Sequence, residues 1–278
     1  MSDLGHNEAG KQTMKEKDYF QLVNNGEMLP SEVREEAPEI YTKIGNLTRF
    51  EKLRDDYLMK CEPPASVKNI YLSGAGGTGK SVLARAIARA LYPEVEVPSF
   101  TVGGDGVSWE GYDGEPVIIW EDMEVSEMLK AAGSRGKLYR ILGPHRDKGE
   151  KAVVKVKYSK KSLLNAYNII IGMVSPQVFL DGLSGKYEEY KEQAYRSIPL
   201  VVGVYEDSYQ VHINKGVYNG TREFLEYADA GAYRQQLGQV MMELNGIEDL
   251  DRRDRVQRQL EGATVRPILD LLDLIATR

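Results

Sequence analysis

The stretch YLSGAGGTGKS, residues Tyr71–Ser81, decides how this chain is read. It opens apolar, turns to glycine and ends on a lysine and a serine. Against the phosphate-binding spacing G-x-x-x-x-G-K-[ST], Gly74, Gly79, Lys80 and Ser81 all fall into register. KNIYLS reads as a buried strand, and KSVLARAIARALY behind the loop has helical spacing and good helix formers. The context is therefore strand, loop, helix. Glycines let the backbone amides curl around an anion, and the helix start adds partial positive charge there. Lys80 is expected to reach the β- and γ-phosphates, and the Ser81 hydroxyl to ligate Mg²⁺. Gly77, Thr78 and Val82 complete the expected cofactor contacts. A glycine turn before an ordinary helix is the plainer alternative, but four matched positions in the right context weigh against it. A site for a nucleoside triphosphate, ATP with Mg²⁺, follows.

The 278 residues suffice for one large domain or for a large and a small one, and 42% hydrophobic content supports a core. The one cysteine, Cys61, excludes an internal disulfide framework and a multi-cysteine metal site. His6, His145 and His212 form no ligand pair, so surface or core roles are expected for them. No apolar run approaches the ~18 residues of a membrane span, and the polar opening MSDLGHNEAGKQ lacks a signal peptide's apolar stretch. The expected compartment is the bacterial cytoplasm, or the host nucleus if the protein is viral, with no membrane partner. Net charge is −6, yet residues 130–161 hold eleven Lys and Arg against Asp147 and Glu150 only. That segment is +9 and the remainder −15, a local basic patch suited to a polyanion.

Residues 1–12 read as a flexible lead-in. From 13 to 62 the pattern is three or four short helices, punctuated at Asn25-Gly26 and Leu29-Pro30, with a helix start near Ser31. EPPAS at 62–66 reads as a linker. Over 66–215 short apolar runs, VIIW, NIIIGMV and IPLVVGVY, alternate with helical segments. That is the pattern of an α/β domain with a covered, mostly parallel sheet. Residues 216–278 return to helical periodicity in TREFLEYADAGAYRQQLGQVMMELNG and RPILDLLDLIATR, so a helical C-terminal region is expected.

A phosphate loop needs a carboxylate at the end of a neighbouring strand. EPVIIWEDM supplies two, Glu121 and Asp122, about 40 residues beyond the loop. One would hold the Mg²⁺ shell, for which Ser81 and Glu121 are the candidates. The other would orient or deprotonate the attacking water.

With these residues in hand, SWEGYDGEPVIIWEDM resembles the block around the second nucleotide motif of superfamily 3 helicase domains. The likeness is closest to the replication initiator (Rep) proteins of small circular single-stranded DNA viruses and related bacterial plasmids. Trp109, Gly111, Tyr112 and Gly114 match that family's aromatic-glycine-tyrosine-x-glycine segment, and the loop fits its tighter G-x-x-G-x-G-K-S. The resemblance implies a P-loop, AAA+-like α/β fold with a small all-α oligomerisation domain ahead of it. It implies an ATP hydrolase coupled to DNA unwinding, a homo-oligomeric ring that is a hexamer, and travel 3′ to 5′ on single-stranded DNA. KAVVKVKYSKKSLL has the alternating pattern of the family's pore hairpin and offers Lys155, Lys157, Lys160 and Lys161 to the strand. A lysine-guarded edge strand is the other reading of the same pattern. QAYRSIPLVVGV resembles the segment bearing the arginine finger, which makes Arg196 the group supplied to the adjacent subunit.

In two respects the chain departs from the family. The third motif ends there on an asparagine, but NIIIGMVSP has Met173 and Val174 at that point, with Ser175 the nearest polar side chain. Neither can donate the amide hydrogen bond. The family's nicking domain needs a histidine-apolar-histidine motif, and these three histidines do not form one. A nicking domain further upstream in a longer chain, or a separate nickase, is therefore expected as a partner. Two other functions fit parts of the sequence. One is a nucleotide-dependent DNA-binding ring without efficient hydrolysis. The other, a small-molecule kinase, explains the loop but not the basic hairpin.

Overall fold

The computed structural model describes residues 14–103, 108–157, 159–185, 189–214, 227–234 and 247–276. Internal contacts divide the chain into two units, Met1–Cys61 and Glu62–Arg278.

The first unit is helical: α1 (Glu16–Asn25), α2 (Pro30–Glu36), α3 (Pro38–Tyr41) and α4 (Asn46–Lys60). Its small core gathers Tyr19, Phe20, Val23, Val33, Ile40 and Phe50, with the Phe20 and Phe50 rings 4.5 Å apart. The second helix begins at Pro30, just before the expected Ser31. Proline lacks only an amide that the first turn would leave unused, and the Glu32 carboxylate accepts from the Leu29 amide at 2.6 Å.

In the second unit the chain runs β1 (Lys68–Ser73), α5 (Lys80–Leu91), β2 (Ser99–Val102), β3 (Val117–Trp120), α6 (Val125–Ala132) and α7 (Arg135–Leu142). A two-stranded hairpin follows, β4 (Val153–Lys155) and β5 (Lys160–Ser162). Then come β6 (Tyr167–Gly172), α8 (Pro176–Ser184), α9 (Glu189–Ser197), β7 (Leu200–Val204), β8 (Ser208–Asn214), β9 (Tyr227–Arg234) and α10 (Leu250–Ala276). Seven strands form one sheet in the order β2-β3-β6-β1-β7-β8-β9. The pairs from β2 to β7 are parallel, and β7-β8 and β8-β9 are antiparallel. This is the α/β fold expected of a phosphate-loop domain.

Why the central strands read as continuous apolar runs is clear from their two faces. Ile70 and Leu72 of β1, Ile119 of β3 and Ile169 and Ile171 of β6 pack against α5 and α10. Tyr71, Ile118, Trp120 and Ile170 face the other way, into the layer of α6 to α9. A strand covered on both sides has no polar face to alternate with. One polar seam crosses that second face. The Asn168 amide donates to Asn69 Oδ1 at 2.7 Å, and Trp120 Nε1 donates to Asn168 Oδ1 at 3.1 Å. Asn69 Nδ2 in turn donates to the carbonyls of Leu142 and Ser197, which pins the ends of α7 and α9 to the sheet.

The C-terminal region differs from the helical reading of 216–278. Tyr227–Arg234, within the segment read as helix, is strand β9, laddered to β8 from Asn214↔Tyr227 to Ser208↔Arg234. YADAGAYR is short and alanine-rich, so its own period is ambiguous, and pairing with β8 decides it. The rest of that segment, 221–226 and 235–246, lies outside the described residues. RPILDLLDLIA, residues 266–276, does belong to a helix, α10, which contains Pro267. Two further strands, β2 and β8, carry no strong sequence signal. Among the described residues no helix is long and apolar enough to cross a membrane.

Candidate functional site

The glycine loop leaves the C-terminal end of β1 and feeds α5, whose first residue is Lys80. Gly77 (φ 79°) and Gly79 (φ 86°) take left-handed backbone that side chains disfavour. At Gly74 the constraint is space: a Cβ there would stand 2.2 Å from the Val204 carbonyl oxygen at the end of β7. The loop is thus pressed against β7 on one side. At Gly76 and Gly77 a methyl group would meet nothing within 4 Å. Lys80, only 5% exposed, donates from Nζ to the carbonyls of Gly74 (3.0 Å) and Ala75 (2.7 Å). Thr78 Oγ1 donates to the Ala75 carbonyl at 3.0 Å. A buried ammonium spanning a glycine cradle at a helix start fits a polyphosphate with its metal. Ser81 and Val82 follow in the first turn of α5.

The two acids arrive at the same edge of the sheet, but not from the neighbouring strand. β6 lies between β1 and β3, so Glu121 and Asp122 stand two strand spacings, about 10 Å, from the loop strand. Val117 and Ile119 point toward α5, and Glu121 continues that alternation. Its Oε1 lies 3.9 Å from Arg85 Nη1 of α5, one helical turn beyond Ser81. Both partners are partly exposed, so the pair is weak. Asp122 departs from the strand with φ 48°, the one non-glycine residue with positive φ among those described. Aspartate tolerates this better than most residues. Among the described residues no group of three or more His, Cys, Asp or Glu could hold a metal, so any ion here would also need Ser81, phosphate or water.

β6 ends at Gly172, and Met173 and Val174 follow it exposed at 68% and 46%. The Val174 carbonyl accepts from the buried Tyr71 hydroxyl at 2.9 Å, and Ser175 Oγ caps α8 by accepting from the Val178 amide. Burial drives the Tyr71 phenol well above its usual range, so it acts here as a neutral donor.

Arg196 sits at the far edge. It lies in the last turn of α9, beside the start of β7. The Ser197 carbonyl is held by Asn69 at the beginning of β1, five residues and about 16 Å of strand before Gly74. An arginine side chain cannot bridge that length to the loop of its own chain. Instead Arg196 lines a cavity of about 410 Å³ with Arg135, Arg140, His145, Arg146 and the single carboxylate of Glu150. Arg146 is 7% exposed. Its guanidinium donates at 3.4 Å to the Leu163 carbonyl and to Asn165 Oδ1, while Nε has no partner among the described residues. Burial pulls its pKa below the usual arginine range. The sequence reading singled out Arg196 alone; the three further arginines lie on α7 and in the loop after it, and only the fold gathers them.

KAVVKVKYSKKSLL forms the β4-β5 hairpin, with Val154↔Lys161 and Lys155↔Lys160 as cross-strand partners. Lys155, Lys157 and Lys160 are exposed. Lys161 differs: it shares the inward face with Val154, and its Nζ donates to the Tyr112 carbonyl at 2.6 Å. Consecutive strand residues face opposite ways, so Lys160 and Lys161 cannot both point outward. The aromatic block ties this hairpin to the acid strand. Trp109 packs edge-on against Trp120 of β3 at 5.3 Å, and the neighbouring Glu110 carboxylate accepts the Lys157 amide at 2.8 Å.

Comparison with known proteins adds one match. The model of a family described as RNA helicase, a family of superfamily 3 helicase domains, matches residues 70–131. That span runs from β1 through the loop and the acids into α6. No curated protein matches the chain.

Proposed function

We propose that this protein is an ATP-driven ring helicase that moves along single-stranded DNA and unwinds duplex in plasmid or viral rolling-circle replication. The observation that carries the reading is the division of one site between two edges of the sheet. The glycine loop and both acids lie at the C-terminal edge, and Arg196 lies at the N-terminal edge, out of reach of its own loop. Head-to-tail neighbours bring the two edges together, and repetition of that contact closes a ring, which we take to be a hexamer.

In this mechanism Lys80 would bind the β- and γ-phosphates, and Ser81 and Glu121 would hold Mg²⁺. When bound, the metal neutralises charge on the phosphate oxygens. Asp122 orients the attacking water, and Arg196 of the adjacent subunit stabilises charge as the γ-phosphoryl group departs. ATP binding tilts each subunit against the next; that movement reaches the hairpin through Trp120, Trp109 and Glu110, and Lys155, Lys157 and Lys160 grip successive phosphates of the strand. Lys161 stays with Tyr112 and supports the hairpin from within. The first helical unit serves as the oligomerisation collar, for which the exposed Ile44 and Leu47 offer apolar contacts.

Met173 and Val174 favour a second reading, a nucleotide-dependent DNA-binding ring without efficient hydrolysis, because neither side chain can position the water. The name of the matched family raises RNA as the other strand to test. Steady-state ATPase assays with no nucleic acid, with single-stranded DNA and with RNA separate these readings. The motor predicts turnover above background, stimulated by DNA and abolished in Lys80→Ala and Glu121→Gln. Absence of turnover under every condition contradicts it and favours the passive ring.

A further inference from the structure

We propose that the cleft between α7 and the β4-β5 hairpin is a phosphate subsite for the threaded polynucleotide, in which Lys137 and Arg140 of α7 share the grip with Lys155 and Lys160. This rests on the reading of the hairpin as the strand-gripping element. The cleft is a cavity of about 220 Å³ lined by Lys137, Arg140, Lys151, Lys155 and Lys160, and its remaining lining residues, Ala152 and Val153, are neutral. Every charge on its wall is positive. Lys155 and Lys160 are direct cross-strand partners, an arrangement that like charges disfavour. Lys137 and Arg140 stand three apart on one face of α7, where like charges also oppose each other. The Glu150 carboxylate, 3.4 Å from Arg140 Nε, relieves only one of them, and both partners are exposed to solvent. Four cations brought to one small space from two elements match a group that combines negative charge with several acceptor oxygens. A phosphodiester is such a group.

A polymer fits better than a lone anion because the cleft does not stand alone. Lys137 and Lys155 also line a cavity of about 820 Å³ together with Lys130 and Lys157, four lysines against the two carboxylates of Glu110 and Glu127, which accept the backbone amides of Lys157 and Glu124. Cations therefore continue along the hairpin side of α6 and α7, as a chain of evenly spaced phosphates requires.

The test uses the full chain, labelled oligo-dT and oligo-U of equal length, and a salt series. Lys137→Ala and Arg140→Ala alter exposed positions on α7, and alanine suits a helix, so the fold is retained. Each variant should lower the slope of log affinity against log salt by about 0.7, the value for one phosphate contact on a single strand. A lowered slope for oligo-dT alone assigns the subsite to DNA, for oligo-U alone to RNA, and for both to the shared backbone; each outcome supports it. Unchanged slopes in these two variants, with a lowered slope in Lys155→Ala or Lys160→Ala, overturn the α7 subsite and leave the hairpin reading intact. Unchanged slopes in all four remove the hairpin reading and the subsite with it. Displacement of the oligonucleotide by inorganic phosphate at equal phosphate concentration overturns the assignment to a polymer.

Discussion

Gly74 and Gly76 are both glycines of the phosphate loop, yet the fold constrains them differently. A methyl group at Gly74 would meet the Val204 carbonyl at 2.2 Å, whereas at Gly76 nothing lies within 4 Å. Backbone cannot yield as a flexible side chain would, so Gly74→Ala must push the loop off β7. We expect it to cost about 1–3 kcal/mol in denaturant unfolding and to weaken nucleotide binding. Gly76→Ala should leave the unfolding midpoint unchanged. Equal midpoints for the two variants would mean that the loop does not rest on β7. The same contrast separates the hairpin lysines. Their number was legible in the sequence, but the turn of Lys161 toward Tyr112 follows from a register that only the paired strands fix.

At the scale of elements, α5 carries the phosphate loop at one end and receives α10 at the other. Arg89 Nε and Nη2 donate to the two oxygens of Glu261 at 2.7 and 2.6 Å, and Gln257 donates to the same carboxylate at 2.8 Å. Glu261 is 3% exposed, so removing its partner strands a buried charge. Arg89→Ala should therefore destabilise the protein by about 3–5 kcal/mol in denaturant unfolding. A loss below about 1 kcal/mol would mark the pair as solvent-screened. Glycine spacing, doubly buried strands and the helix behind the loop are local signals, and KNIYLS and VIIW coincide with β1 and β3. Strand order is not local. Nothing in EPVIIWEDM tells that β6 will lie between the acids and the loop, and nothing in YADAGAYR outweighs its alanines until β8 lies beside it. The arginine cavity is likewise invisible along the chain, because Arg135, Arg140, Arg146 and Arg196 come together only when α7, its following loop and α9 are pinned to the sheet.

For the whole molecule, parallel strands give the second unit two unlike edges. One bears a glycine cradle with two acids, the other a cavity lined by Arg135, Arg140, Arg146 and Arg196. In the proposed ring each edge serves its neighbour, so activity belongs to the contact and not to the subunit. Mixing two inactive proteins tests this most directly. Arg196→Ala subunits keep the loop and Lys80→Ala subunits keep the finger, so an Arg196→Ala loop facing a Lys80→Ala finger is complete. Random assembly at equal amounts makes about one contact in four intact. The account predicts ATPase recovery toward about a quarter of the unmodified rate at that ratio. No recovery at any ratio, from subunits that still assemble, would contradict it.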